Sequence, residues 1–238
     1  MPAVKHFMLL AVALLSAAAG PARAQGIIPV QRNWGGLYLM VTPPSGEFRD
    51  HAGVGGGAGM YRVACLNDAR AFGIRVELSG TALGGPEYLI RYSAPGVPDA
   101  NQVVRYSRGI VALSVGPQIT LPGRFVRPYV TGQIGLSYVF TMSERRWEGE
   151  DPDFDPLSWD FGPSEFNFPV SAGGGVLIQL SRGADAVWLD LSAQWTRHGR
   201  ATFVSDASIV ESPQGITVRP TASMMSLWQF RAGIVVAN

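Results

Sequence analysis

The feature that most limits what this chain can fold into is strict two-residue alternation of apolar and polar side chains. Between Val187 and His198 one set reads Val187, Leu189, Leu191, Ala193, Trp195, and the other Trp188, Asp190, Ser192, Gln194, Thr196, His198. A period of two places the two sets on opposite faces of a β-strand. The same pattern runs through Phe72, Ile74, Val76, Leu78 and Ala82 against Gly73, Arg75, Glu77, Ser79 and Thr81. It returns in Val130–Phe140 and in Phe166–Leu180. Less regular stretches at 34–41, 53–63, 106–118 and 224–237 bring the count of expected strands to eight, the glycine-rich second one having least to alternate. Twenty-nine glycines and seventeen prolines disfavour long helices, and no apolar stripe of helical period follows the N-terminus. The expected class is all-β.

The connections sort by length. Those after expected strands two, four and six are short (64–71, 119–124 and 181–184), whereas those after three, five and seven are long (84–105, 142–165 and 199–223). The link after strand one, 42–52, is intermediate. Short turns at one end and long loops at the other are the pattern of transmembrane barrels, turns periplasmic and loops extracellular. An even strand count returns both termini to the periplasm.

Alternation alone does not say which face is inside, because a soluble ligand-binding barrel also alternates. Three features favour apolar-out. The apolar faces of strands three, five, six and seven are free of charge over about nine to eleven residues, the length a tilted strand needs to cross a bilayer. Aromatics sit near strand ends on apolar faces as an expected interfacial girdle: Phe72, Tyr138, Phe140, Phe166, Phe168, Trp195 and Trp228. The opposite faces are small and polar, as a narrow lumen requires. Pro117 and Pro169 are expected near strand ends, where a missing ladder bond is tolerated.

The N-terminus carries the marks of export. Lys5 precedes an apolar run from Phe7 to Leu15, Gly20-Pro21 breaks it, and Ala22-Arg23-Ala24 is an A-x-A cleavage site. Residues 1–24 are therefore expected to be a cleaved signal peptide, and residues 25–238 the barrel domain. Loss of Lys5 and Arg23 takes the formal charge from +1 to −1 and leaves no lysine, which disfavours a nucleic-acid partner. Cys65 stands alone, and is expected to be a shielded small side chain.

The chain resembles the small outer-membrane barrels of the OmpA/OmpX and opacity-protein type. The resemblance rests on Trp34-Gly35-Gly36-Leu37-Tyr38, Arg127-Pro128-Tyr129-Val130 and Ser171-Ala172-Gly173-Gly174-Gly175-Val176. The C-terminal pattern of Arg231, Gly233 and Val236 resembles the insertion signal of such barrels, with Asn238 in place of the usual last aromatic. The resemblance implies an eight-stranded antiparallel up-and-down barrel in the Gram-negative outer membrane. Its implied surroundings are outer-membrane lipid and lipopolysaccharide, with the barrel-assembly machinery engaging the last strand.

An eight-stranded barrel is just wide enough to be filled by its own side chains. Arg75, Glu77, Asp190 and Arg231 on lumen faces are accordingly expected to form a buried ion-pair network, Asp190 and Arg231 lying on neighbouring strands at similar depth. Catalysis by a serine–histidine pair is disfavoured: only His51 and His198 survive cleavage, and Ser192 on the face of His198 is roughly 20 Å away along the strand. The loop after strand five carries eight acidic residues between Glu144 and Glu165 against Arg145 and Arg146, a net of −6. Its Asp151-x-Asp153-x-Asp155 imitates the start of a calcium loop, but Pro156 and Gly162 stand where glycine and glutamate are needed, so no metal or cofactor is expected. Trp147, Phe154, Trp159 and Phe161 in the same loop suggest contact with neighbouring loops or a surface ligand. The expected function is a non-enzymatic structural or surface-interaction role, with a narrow porin-like channel and a lipid-A-modifying enzyme as the alternatives.

Overall fold

The computed structural model describes residues 33–67, 69–94, 97–147, 160–181, 186–203, 209–212, 215–218 and 221–237. Of these, 86–102, 104–106, 143–147, 160–163, 201–203, 209–212, 215–218, 221 and 237 are described in backbone only. The expected signal peptide lies outside the described residues.

The chain runs β1 (Asn33–Thr42), β2 (Pro44–Ser45), a 3-10 turn (Gly46–Asp50), β3 (Gly55–Cys65), β4 (Phe72–Ala94), β5 (Val97–Thr120) and β6 (Val126–Trp147). There follow β7 (Asp160–Asn167), β8 (Val170–Gln179), β9 (Val187–Phe203), β10 (Ile209–Ser212), β11 (Gly215–Val218) and β12 (Thr221–Ala237). Each wall strand pairs antiparallel with its neighbours in sequence, and β1 pairs with β12 from Trp34↔Ala237 to Val41↔Phe230. β7 and β8 together occupy one wall position, both pairing with β6. The wall is therefore a closed, eight-stranded, antiparallel up-and-down barrel, and closure leaves no ladder edge within it.

The alternation decides what faces where. Leu37, Leu39 and Val41 of β1 point outward, Leu39 at 71% exposure, while Trp34, Tyr38 and Met40 are buried within. Val130, Ile134 and Leu136 on β6, and Phe230, Ile234 and Val236 on β12, repeat the arrangement. A belt of exposed leucine, isoleucine, valine and phenylalanine around a polar interior is the inverse of a soluble barrel. Hydrocarbon is the solvent in which that belt costs nothing.

Three sequence expectations change. The connection 84–105 is a long hairpin, because β4 continues to Ala94 and β5 begins at Val97. The connections 142–165 and 199–223 are likewise shortened by extension of β6, β7, β9 and β12, and β10–β11 forms a small hairpin of its own. Pro169 lies inside the composite β7/β8 strand and not near its end. Without an N–H it interrupts the ladder there, yet its carbonyl accepts from Gly135 N–H at 3.0 Å. The inside–outside parity carries straight through: Phe166, Phe168 and Val170 are exposed, and Asn167 and Ser171 buried. Cys65 is buried.

Candidate functional site

The barrel interior is filled in layers. At the end of the short turns, Trp34 and Trp188 stack with ring centroids 6.3 Å apart. The Arg127 guanidinium lies 5.2 Å from the Trp34 ring and 5.9 Å from that of Trp188, so a cation over aromatic faces joins three strands.

Next comes a layer of charge and tyrosine. Glu77 on β4 takes Arg75 Nη2 at 2.7 Å and Arg231 Nη2 at 2.9 Å, and the Tyr38 hydroxyl donates to its Oε1 at 2.9 Å. Asp190 on β9 accepts from Tyr61 at 2.6 Å and from Tyr129 at 2.8 Å. The Arg75 guanidinium lies 3.5 Å from the centre of the Tyr61 ring and donates to Gln118 at 3.3 Å. Two arginines and two carboxylates sum to zero inside this layer, and every carboxylate oxygen has a donor. Low dielectric makes such satisfied pairs strong and unsatisfied ones expensive. Glycine makes the space: a β-carbon at Gly36 would come within 2.9 Å of the Tyr61 ring, and one at Gly175 within 2.9 Å of that of Tyr129.

Above it lies an amide and hydroxyl layer. Gln194 donates to Gln133 Oε1 at 2.8 Å and to Ser171. Ser137 Oγ sits 3.0 Å from His198 Nδ1. A cavity of about 10 Å³ separates this layer from Glu77 and Arg231, room for about one water. Gln194 Oε1 and His198 Nε2, on residues that line this cavity, are buried and have no partner among the described residues, which suits such a water.

The fourth layer is apolar. The chain between Pro43 and Ala52 turns over the mouth: Pro43 O accepts from Trp228 N–H at 3.0 Å, and β2 adds two pairs to β12. Gly46, at φ +62°, makes the turn that a β-carbon would strain. Phe48 is thereby driven completely out of solvent, among Leu83, Ile110, Val139, Met225 and Leu227. Arg108 Nη1 donates to His51 O at 2.7 Å and holds the end of the turn.

Of the lumen residues expected from sequence, Arg75, Glu77 and Arg231 come together, and Asp190 joins the same layer through tyrosine. Its carboxylate does not pair with Arg231, which turns to Glu77. β9 places Asp190 opposite Gly233 and Ser192 opposite Arg231. The three tyrosines were missed, although their positions opposite Leu37, Met60 and Val130 in the alternation mark them as inward. A second revision concerns histidine. The serine beside His198 is Ser137 on β6, not a residue of its own strand. Both are buried, no carboxylate orients the ring among the described residues, and Asn167 O at 3.4 Å competes for the hydroxyl. That contact ties two strands together, and it lacks the third group that polarises a nucleophile.

The aromatic residues Phe72, Phe166, Phe168 and Trp228 are exposed on the outer surface. Tyr138, on the same outer face, stands 5.7 Å from Phe140 and 5.0 Å from Phe166, and Trp195 is half-exposed opposite Trp228. In the acidic loop, Asp151, Asp153, Phe154, Asp155 and Trp159 lie outside the described residues. Trp147 closes β6 and Phe161 lies in β7, in backbone only.

Closed wall, apolar belt and packed interior define a small membrane-spanning β-barrel with a filled lumen. Among solved structures the chain is similar to Neisserial surface protein A, at 13% identity and TM-score 0.48, over 86% of this chain and 96% of that one. It is also similar to Ail of Yersinia pestis in complex with the heparin analogue sucrose octasulfate, at 9% identity and TM-score 0.44, over 86% and 97%. A third is the N-terminal β-barrel domain of Pseudomonas aeruginosa OprF, at 13% identity and TM-score 0.37, again over 86% and 97%. No family model and no curated protein matches the sequence.

Proposed function

We propose that this chain is a non-enzymatic protein of the bacterial outer membrane, with a structural or surface-interaction role carried by the end of the barrel that bears the long loops. The observation that carries this reading is the pairing of an apolar outer belt with a lumen filled from floor to lid. A barrel so filled offers solutes no path, and its Ser137–His198 contact is sealed from lipid. What remains for interaction is the end at which β4, β5, β6 and β9 outrun the belt. On this reading residues 1–24 are removed on export, the short turns face the periplasm and the long loops face outward among lipopolysaccharide. The last strand, β12, is then the segment offered to the assembly machinery before it closes against β1.

The test is fractionation and gel migration. Expressed in a Gram-negative host, the protein is expected in the outer-membrane fraction, migrating faster unheated than boiled because a closed barrel resists detergent. Extraction without detergent, or migration unaffected by boiling, would sink the reading. Removal of Glu148–Phe161 is expected to abolish binding of intact cells to a responsive host or matrix surface and to leave heat-modifiable migration intact; unchanged binding would remove that loop from the function.

A further inference from the structure

The wall strand β4 leaves its neighbour β3 at the pair Gly55↔Leu83. One further bond, Gly53 N–H to Gly84 O at 3.1 Å, caps that ladder. Beyond it β4 runs on to Ala94, and among the described residues it pairs there with β5 alone. The other side of Glu87–Tyr92 is a backbone edge with no strand beside it among the described residues.

The parity of that edge follows from the register. Gly84 turns its carbonyl toward Gly53 and away from β5, so Gly84↔Ser107 is a non-hydrogen-bonded pair. Two residues of β4, Gly85 and Pro86, then oppose one of β5 before Glu87↔Arg105 resumes the ladder. Arg105 has the parity of Ser107 on a strand whose pairing with β6 is continuous there. Glu87, Leu89 and Arg91 therefore direct N–H and C=O outward, three residues whose six backbone groups no described residue shares.

The edge also complements itself. In Glu87-Tyr88-Leu89-Ile90-Arg91, antiparallel pairing centred on Leu89 sets each Glu87 opposite Arg91 of the other copy, and Tyr88 opposite Ile90. Opposite charges and aromatic–β-branched pairs at facing positions stabilise a ladder. The usual protections of an edge, a lysine or an interrupting proline, are missing between Glu87 and Ala94.

Geometry then selects where the second copy sits. Barrels in one bilayer all send β4 the same way, tilted about 35–45° from the axis, and two such strands do not run antiparallel. Barrels in two bilayers facing each other do. Leu89 lies six residues past Leu83, roughly 20 Å along the strand, far enough to be met above the apolar belt. We propose that the β4 edge at Glu87–Arg91 joins the same edge of a second copy held in an opposed outer membrane, so that the protein tethers one surface to another by strand pairing. This rests on the membrane reading above and names its partner.

The experiment places the full chain, one copy per lipid nanodisc, in analytical ultracentrifugation, with heat-modifiable migration confirming the folded barrel. Wild-type discs are expected to associate in pairs. Leu89→Pro removes an outward N–H and no bond to β5, and is expected to leave migration intact and abolish pairing. Glu87→Arg alone, and Arg91→Glu alone, set like charges face to face and are expected to weaken pairing about tenfold or more, while the two changes combined restore it. Folded wild-type discs that stay single, pairing indifferent to Leu89→Pro, or a double exchange that fails to rescue would each overturn the proposal and leave the barrel reading standing. Association that appears only in larger discs loaded with two copies, and never between single-copy discs, would overturn it as well. Loss of heat-modifiable migration in the wild type would strike at the membrane reading itself.

Discussion

Glu77 holds the interior together because its two oxygens meet two guanidinium groups and one phenol. Glu77→Gln keeps the shape and removes the charge, leaving Arg75 and Arg231 to face each other within a buried layer. Breaking one partner of a buried ion pair typically costs about 3–5 kcal/mol, and that loss is expected in urea unfolding of the vesicle-embedded barrel. Tyr61→Phe removes only one of the two donors to Asp190 and is expected to cost about 1–3 kcal/mol. Equal losses for the two variants would show that the layer is not organised around Glu77. The charges of this layer were legible in the sequence, since an ionisable residue on the polar face of a membrane strand has only the lumen to enter. Their partners were not, because partner choice depends on stagger between strands. Placing Asp190 and Arg231 at similar depth did not reveal that Arg231 sits opposite Ser192, nor that β4 delivers Glu77 to it. Ser137 and His198 are 61 residues apart in the chain, and no local pattern announces their contact.

Among the elements, the segment from Pro43 to His51, expected only as a link of intermediate length, adds most to the sequence reading. Its Pro43-Pro44-Ser45-Gly46 start signals a turn, but a turn signal does not say that the chain folds inward. The available clue was Phe48, a lone large apolar residue where solvent exposure would be costly. Truncation tests its role: Phe48→Ala vacates a completely buried site and is expected to cost about 3–5 kcal/mol. Protease is also expected to cut within Gly46–Asp50 of the variant and not of the wild type, whereas a surface loop merely resting on the barrel would lose little stability and be cut equally in both. The hairpin of β4 and β5 was more legible than the reading of 84–105 as a loop allowed. Tyr88-Leu89-Ile90-Arg91-Tyr92 has the composition of a strand, and Pro95-Gly96 is a turn pair set midway between Gly84 and Arg105. Length alone suggested a loop, and length does not distinguish a loose connection from a ladder that continues beyond the membrane.

For the whole molecule the decisive question is which solvent the outer surface meets, and the cost of a charge on that surface answers it. Leu39 is the most exposed apolar residue of β1 and lies well inside the strand, with Leu37 and Val41 on either side of it along the same face. If hydrocarbon surrounds the barrel, Leu39→Arg has to desolvate a guanidinium or thin the bilayer around it, at a cost of about 2–4 kcal/mol near the midplane. In water the same change at a 71% exposed position falls within about 0.5 kcal/mol of neutral. Unfolding free energies of wild type and Leu39→Arg, measured in lipid vesicles and again in detergent micelles, are expected to differ by that larger amount in vesicles and by less in micelles, whose headgroups lie within reach of a long side chain. A second arginine placed at Gly35, near the turn end of the same outward row, is expected to cost about 0–1 kcal/mol, since the penalty falls toward the interface. A depth profile that is flat along β1 would mean that the apolar belt is not a lipid-facing surface. The closed wall would then need another reason to carry its leucines outward and its charges within.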